Sequence, residues 1–249
     1  MVFSQASMRT RMEYDPQMTA AKAHSHLRKL ASEKTAARSK TFFKTQPGQY
    51  AADDIFIGIK VPPLRQASQL FADLPLNEID KLLQSPIHEE RYLALMILTD
   101  QYARAGAGDQ RKIYRHYLKR RKFVNQWDLV DASAGGIVGR HLLDRDKSEL
   151  YRLIQSPRWW ERRIAVVATN YFINRNKFDV TLDLAEKLLT DEHDLMHKAV
   201  GWMLREVGKR DVKSLQKFLR RHGSRMPRTM LRYAIERFPP SHRKRYLAM

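Results

Sequence analysis

The sequence predicts an all-α chain, a curved solenoid of stacked two-helix repeats, and three observations carry that expectation. Beyond Pro63 the chain reads as helical stretches of ten to twenty residues separated by Pro or Gly breaks at Leu74-Pro75, Ser85-Pro86, Gly106-Ala107-Gly108, Ser156-Pro157, Gly223, Met226-Pro227 and Pro239-Pro240. Few segments alternate apolar and polar residues as a half-buried strand would. Similar segments recur around Ala94, Ala132, Ala165, Ala199 and Ala234, at spacings of 38, 33, 34 and 35 residues. A single helix pair cannot bury its apolar face alone, so neighbours must stack, and about five or six pairs would build a concave inner face.

Residues 1–16, ending at Asp15-Pro16, read as a flexible tail, and residues 17–249 as one domain. The Ala-, Leu- and Lys-rich run from Met18 to Lys44 predicts a single helix that stops before Pro47-Gly48. Ile55-Phe56-Ile57-Gly58-Ile59 has strand-like residues, but an isolated strand would lack a partner, so an ordered loop is expected there. Val61-Pro62-Pro63 then opens the next helix. His88-Glu89-Glu90-Arg91 reads as a charged helix start, and Trp159-Trp160 as packing residues between repeats.

The chain has 249 residues, ample for a core, and carries 46 Lys+Arg against 27 Asp+Glu, a formal net charge of +19. The excess sits at the ends: residues 1–45 hold 9 basic and 3 acidic side chains, and residues 205–249 hold 14 and 3. Such polarity predicts a polyanionic partner, nucleic acid first. There are no cysteines, which excludes disulfides, thiolate metal sites and cysteine nucleophiles and suits a reducing cytoplasm. No apolar run is long enough for a membrane span or a signal peptide, so a cytoplasmic protein is expected. His193 and His197 have the i, i+4 spacing of metal ligands, but no HExxH surrounds them and Lys198 adjoins; solvated histidines and no metal or other cofactor are expected. Gly135-Gly136 and Gly139 follow no strand and make no phosphate loop.

The stretch Phe123–Gly136, FVNQWDLVDASAGG, is the centre of the functional reading. Trp127 and Asp131 lie four apart, so a helix stacks them on one face, and a carboxylate beside an indole needs a cation if it is buried. In a solenoid the same helix of each pair lines the concave face, which would bring in Arg163 from WERRIA and then Trp202 and Arg205 from AVGWMLRE. Two indoles, one carboxylate and two guanidiniums suit a damaged nucleic-acid strand: arginines hold phosphates, aromatics stack, and the carboxylate faces a developing positive charge. Arg220-Arg221-His222, Arg225, Arg228 and Arg232 form the densest basic cluster, from which further phosphate contacts are expected.

From Phe42 to the C-terminus, the motifs FFK, FIGIKVPPLRQ, WDLVD, WERRIA, HKAVGWMLRE and PRTMLRYAIE together resemble the AlkD-type DNA alkylation repair glycosylases, built from HEAT-like repeats. The resemblance implies a concave DNA-binding face and a monofunctional glycosylase that hydrolyses the N-glycosidic bond of cationic N3- and N7-alkylpurines in duplex DNA. It implies Asp131 as the catalytic carboxylate, Trp127 and Trp202 as walls around the lesion's deoxyribose, and Arg163 and Arg205 as backbone contacts. One position departs from the family: its aromatic near the first helix is often Tyr, whereas the matching place in FFK holds Phe42, which removes a hydroxyl. The residues suit the same chemistry, because an alkylated purine already carries positive charge and leaves neutral. One carboxylate can stabilise the oxocarbenium-like sugar and orient water without a partner acid. No lysine stands out as a Schiff-base nucleophile, so no strand-cleaving step is expected. A monomer without an obligate protein partner is also expected. The alternatives are a non-catalytic solenoid binding DNA or RNA through its basic face, and a protein-binding repeat scaffold.

Overall fold

The computed structural model describes residues 18–249, so the tail expected over 1–16 lies outside the described residues. The fold divides between Ile97 and Leu98 into two compact units.

The first unit contains α1 (Ala20–Leu30), α2 (Glu33–Phe43), α3 (Val61–Leu70), α4 (Leu76–Leu83) and the start of α5 (His88–Arg104). The single helix expected over Met18–Lys44 is two helices. Ala31 and Ser32 are extended, and the Ser32 side chain accepts Thr35 N–H at 3.3 Å as an N-cap. Ser32 N–H donates to Ile57 O at 3.0 Å, and Gly58, at φ +83°, lies so close that a Cβ there would fall 2.1 Å from Ser32 O. Helix propensity favours continuity; a capping serine and a long-range backbone bond break it.

The loop Ile55–Ile59 is ordered as expected, with one isolated parallel bridge from Ile55 to Ile87 and no strand among the described residues. What orders it is Glu89, whose carboxylate accepts the N–H groups of Ile57 (3.1 Å), Gly58 (2.7 Å) and Ile59 (3.2 Å). The charged start of α5 is therefore an internal anchor: His88, Glu89, Glu90 and Arg91 are all buried. Arg91 pairs with Asp54 and donates to Ser85 O at 2.9 Å, while Glu90 binds His24 Nδ1 at 2.5 Å. The buried charges of Glu89, Glu90, Arg91 and Asp54 are tolerated here because each makes at least one hydrogen bond.

The second unit continues with α6 (Ala107–Arg120), a 3-10 turn at Arg121–Phe123, and α7 (Trp127–Ala134), which runs through a π turn (Gly135–Gly139) into α8 (Arg140–Leu142). It follows with α9 (Ser148–Ile154), α10 (Trp159–Ala168), α11 (Asn170–Ile173), α12 (Asp179–Lys187) and α13 (Asp194–Arg210). Then come α14 (Val212–His222), a 3-10 turn at Gly223–Arg225, α15 (Arg228–Ala234) and α16 (Pro240–Leu247). Within this unit α7 packs on α10, α10 on α13, and α13 on α15, the stacking of a helical-repeat solenoid. Ala165, Ala199 and Ala234 are buried at these contacts, whereas Ala132 is half-buried. Gly139 marks the closest approach: a Cβ there would lie 2.0 Å from Ala168 O, so the π turn presses its backbone against α10. Arg163 through Ala168 are buried without interruption, which makes α10 the centre of the stack.

Candidate functional site

The carboxylate of the site is positioned by three stacked helices. Gln126, fully buried, accepts Trp127 N–H on its side-chain oxygen at 3.0 Å and so caps α7. Trp127 opens that helix and Asp131 follows one turn later, both half-buried. From α10, Arg163 donates Nε to Asp131 Oδ1 at 3.0 Å and Nη2 to Oδ2 at 2.8 Å, a bidentate fork. Its remaining Nη1 donates to Leu195 O at 2.6 Å, in the first turn of α13. One side chain thus ties α7, α10 and α13 together. The Arg163 side chain is 6% exposed and that of Asp131 20%; the cation is enclosed while the carboxylate keeps an accessible edge.

Burial pushes the Asp131 carboxyl above the ordinary carboxylate range; Arg163 opposes that shift and the neighbouring Asp128 adds to it. Behind α7, Tyr117 is fully buried with its hydroxyl 3.0 Å from Ser133 Oγ, which donates to Leu129 O at 2.6 Å and stiffens the helix carrying Asp131.

Trp202 and Arg205 form a second cluster, on α13. Trp202 Nε1–H donates to Glu206 Oε1 at 3.2 Å; the same carboxylate lies 3.5 Å from Arg205 Nε and 2.5 Å from Lys209 Nζ. Arg205 also pairs through Nη1 with Glu236. Arg163 and Arg205, the two implied backbone contacts, are both engaged by protein carboxylates.

The other expected site residues have partners of their own or are exposed. Phe42, in the last turn of α2, is 65% exposed and meets Phe43 edge-on, which stacks on Phe56 at 4.9 Å. Arg225 bonds to His222 at 2.9 Å and Arg228 donates to Leu247 O at 2.6 Å, whereas Arg232 is exposed. Rather than being solvated, His193 stacks on Trp159 at 3.7 Å and accepts Leu195 N–H, and His197 bonds to Asp191 O. No group of three or more metal-ligating acids and histidines occurs among the described residues. Trp159 and Trp160 do pack against each other and, with Arg121, Lys122 and Arg158, line a cavity of about 190 Å³.

The residues that sequence reasoning missed are the acids that hold these cations: Glu161, 2.9 Å from Arg121, and Glu206 and Glu236. The adjacency of Glu161 to Arg162-Arg163 and of Glu206 to Arg205 was a visible signal. Which cation each acid would hold was not. No helix among the described residues is long and apolar enough to cross a membrane.

Residues 23–238 match the family described as DNA alkylation repair enzyme. A solved structure described as a predicted DNA alkylation repair enzyme from Enterococcus faecalis shares the fold, with a TM-score of 0.64 at 18% identity over 84% of this chain and 97% of that one. No curated protein matches the chain. With the helical stack and the family match spanning most of its length, the chain belongs to the DNA alkylation repair enzyme family.

Proposed function

We propose that this protein is a monofunctional DNA glycosylase that hydrolyses the N-glycosidic bond of cationic N3- and N7-alkylpurines in duplex DNA, with Asp131 as its catalytic carboxylate. The observation that carries the reading is the Asp131–Arg163 fork: a carboxylate fixed in orientation, partly withdrawn from water and still reachable at one edge. In an N-alkylated purine the base is already cationic and leaves neutral, so the positive charge that needs stabilising moves to the sugar. A fixed anion beside C1′ stabilises that oxocarbenium-like state and accepts a hydrogen bond from the attacking water. Trp127, one turn before Asp131, supplies an aromatic face for the same cationic centre.

Arg163 acts in this scheme by orienting Asp131 and holding it as the anion, since all three guanidinium nitrogens are occupied. Trp202, with its indole fixed by Glu206, is the second aromatic wall, and Arg205, braced by Glu236, stands beside it. Phe42 is an exposed aromatic suited to stacking but not to donating a hydrogen bond. The protein acts as a monomer in the cytoplasm and needs no cofactor for this reaction.

The test is release of 7-methylguanine from a methylated duplex by the wild-type protein. Base release with strand breaks only after alkali supports the proposal. Breaks without alkali indicate a lyase step and refute the monofunctional reading. Tight binding to duplex with no release at all favours a non-catalytic DNA-binding solenoid.

A further inference from the structure

We propose that the cleft between α15 and α16 is a second binding site, which grips backbone phosphates of duplex DNA through Arg232, Arg243 and Lys244. This rests on the duplex-DNA reading above and adds to Arg232, already expected at phosphates, two residues that no motif of the sequence singled out, Arg243 and Lys244. The cleft measures about 590 Å³; Arg232 rises from α15 and Arg243 and Lys244 from α16, over an apolar floor that includes Ile235 and Leu247.

The charge balance inside the cleft points to an anion. Its one acid, Glu236, is already paired with Arg205. The side chains of Arg232, Arg243 and Lys244 are exposed and make no ion pair among the described residues. Several other cations of this unit are held by acids: Arg121 by Glu161, Arg162 by Asp191, Arg163 by Asp131, Lys177 by Asp144. Three cations lining one cleft without a paired acid raise its local positive potential, which favours an anion there.

The walls are also fixed in place. Arg228 donates to Leu247 O at 2.6 Å, which fastens the end of α16 to the start of α15, and Pro239-Pro240 set the backbone at the start of α16. Of the five arginines in the basic cluster of this region, Arg232 alone lines the cleft; Arg228 is a strut and Arg225 is bonded to His222. Glu236, which lines the cleft, is also the partner of Arg205, which lies on α13 beside Trp202 in the second cluster. Phosphate contacts bind without reading sequence.

The experiment is fluorescence anisotropy of a labelled duplex, undamaged and carrying 7-methylguanine, over a series of salt concentrations. Arg243→Gln/Lys244→Gln should lower the steepness of log K against log[salt] by about 1.8, at about 0.9 per phosphate contact, and Arg232→Gln alone by about 0.9. Both effects should be equal on the two duplexes. Lys213→Gln/Lys217→Gln on α14, which removes the same charge outside the cleft, serves as the control. An unchanged slope in the cleft variants, or an equal loss in the control, overturns the proposal. If the wild type releases no base while the cleft variants still lose slope, the glycosylase reading fails and the phosphate site stands.

Discussion

Replacing Asp131 with Asn removes one negative charge and almost no volume, and its effects on chemistry and on stability can be sized separately. A full charge about 4 Å from a developing cation is worth about 4 kcal/mol at an effective dielectric constant of about 20. Here the anion is not bare: Arg163 grips it at 2.8 and 3.0 Å, so the sugar would feel an ion pair with its negative end forward. That brings the estimate to about 2–4 kcal/mol, or a loss of about 30- to 1,000-fold in the single-turnover rate of 7-methylguanine release. Affinity for undamaged duplex should stay within about threefold, because the groups proposed to hold phosphates lie elsewhere. The fold pays separately: Arg163 is enclosed and loses half of its fork, which costs about 1–3 kcal/mol. A thermal melt must therefore accompany the assay, to establish that the variant is folded at the assay temperature. A folded Asp131→Asn protein that releases base at the wild-type rate would refute the assignment of Asp131.

Three further outcomes follow from particular contacts. Glu206→Ala takes away the acceptor of the Trp202 indole N–H, a bond worth about 1 kcal/mol, and should slow base release about fivefold while Glu206→Gln stays near wild type. A shift of the tryptophan emission in Glu206→Ala that is absent when Trp202 is already Phe would tie the effect to that indole; loss of activity without the shift would not. Gly139→Ala places a methyl 2.0 Å from Ala168 O and should cost about 3 kcal/mol, lowering the melting temperature by about 6–12 °C. Gly135→Ala, whose Cβ would clear Val167 O at 3.9 Å, should be neutral or slightly stabilising; equal melting temperatures for the two variants would contradict the packing argument. Burial, aided by Arg145 and Arg111, lowers His141 from its ordinary 6.5 to about 4. Between those values the folded chain binds fewer protons than the unfolded one, so this contribution is complete above pH 6.5 and is lost as pH falls toward 4. Melting temperature followed over that window should fall less steeply in His141→Gln than in the wild type, and identical slopes would remove His141 from the account.

The helical class and most breaks were legible because Pro and Gly act locally and helix periodicity is a property of short windows. Alanine recurrence located α10, α13 and α15 for the same reason, since a stacked repeat needs a small residue wherever neighbouring helices approach. The reading failed where a distant partner outweighed local preference. Residues 18–44 form two helices because Ser32 is bonded to Ile57, and the acidic start of α5 is buried because Glu89 collects three backbone N–H groups from a loop thirty residues earlier.

Asp131 stood out from sequence alone, because Trp127 and Asp131 share a helix face at any tertiary arrangement, and a basic, cysteine-free chain narrows the chemistry to nucleic acid without thiols. The family motifs, too, are linear text. What only the tertiary structure decided is which cation each acid holds. Arg163 and Arg205 were alike in the sequence as implied backbone contacts, yet one closes a fork on Asp131 and the other is braced by Glu206 and Glu236, while Arg232, Arg243 and Lys244 pair with no acid among the described residues. The Asp131–Arg163 and Arg205–Glu236 pairs depend on distances of a few ångströms between residues 32 and 31 positions apart, and the order of residues along the chain does not fix those distances until the helices have packed.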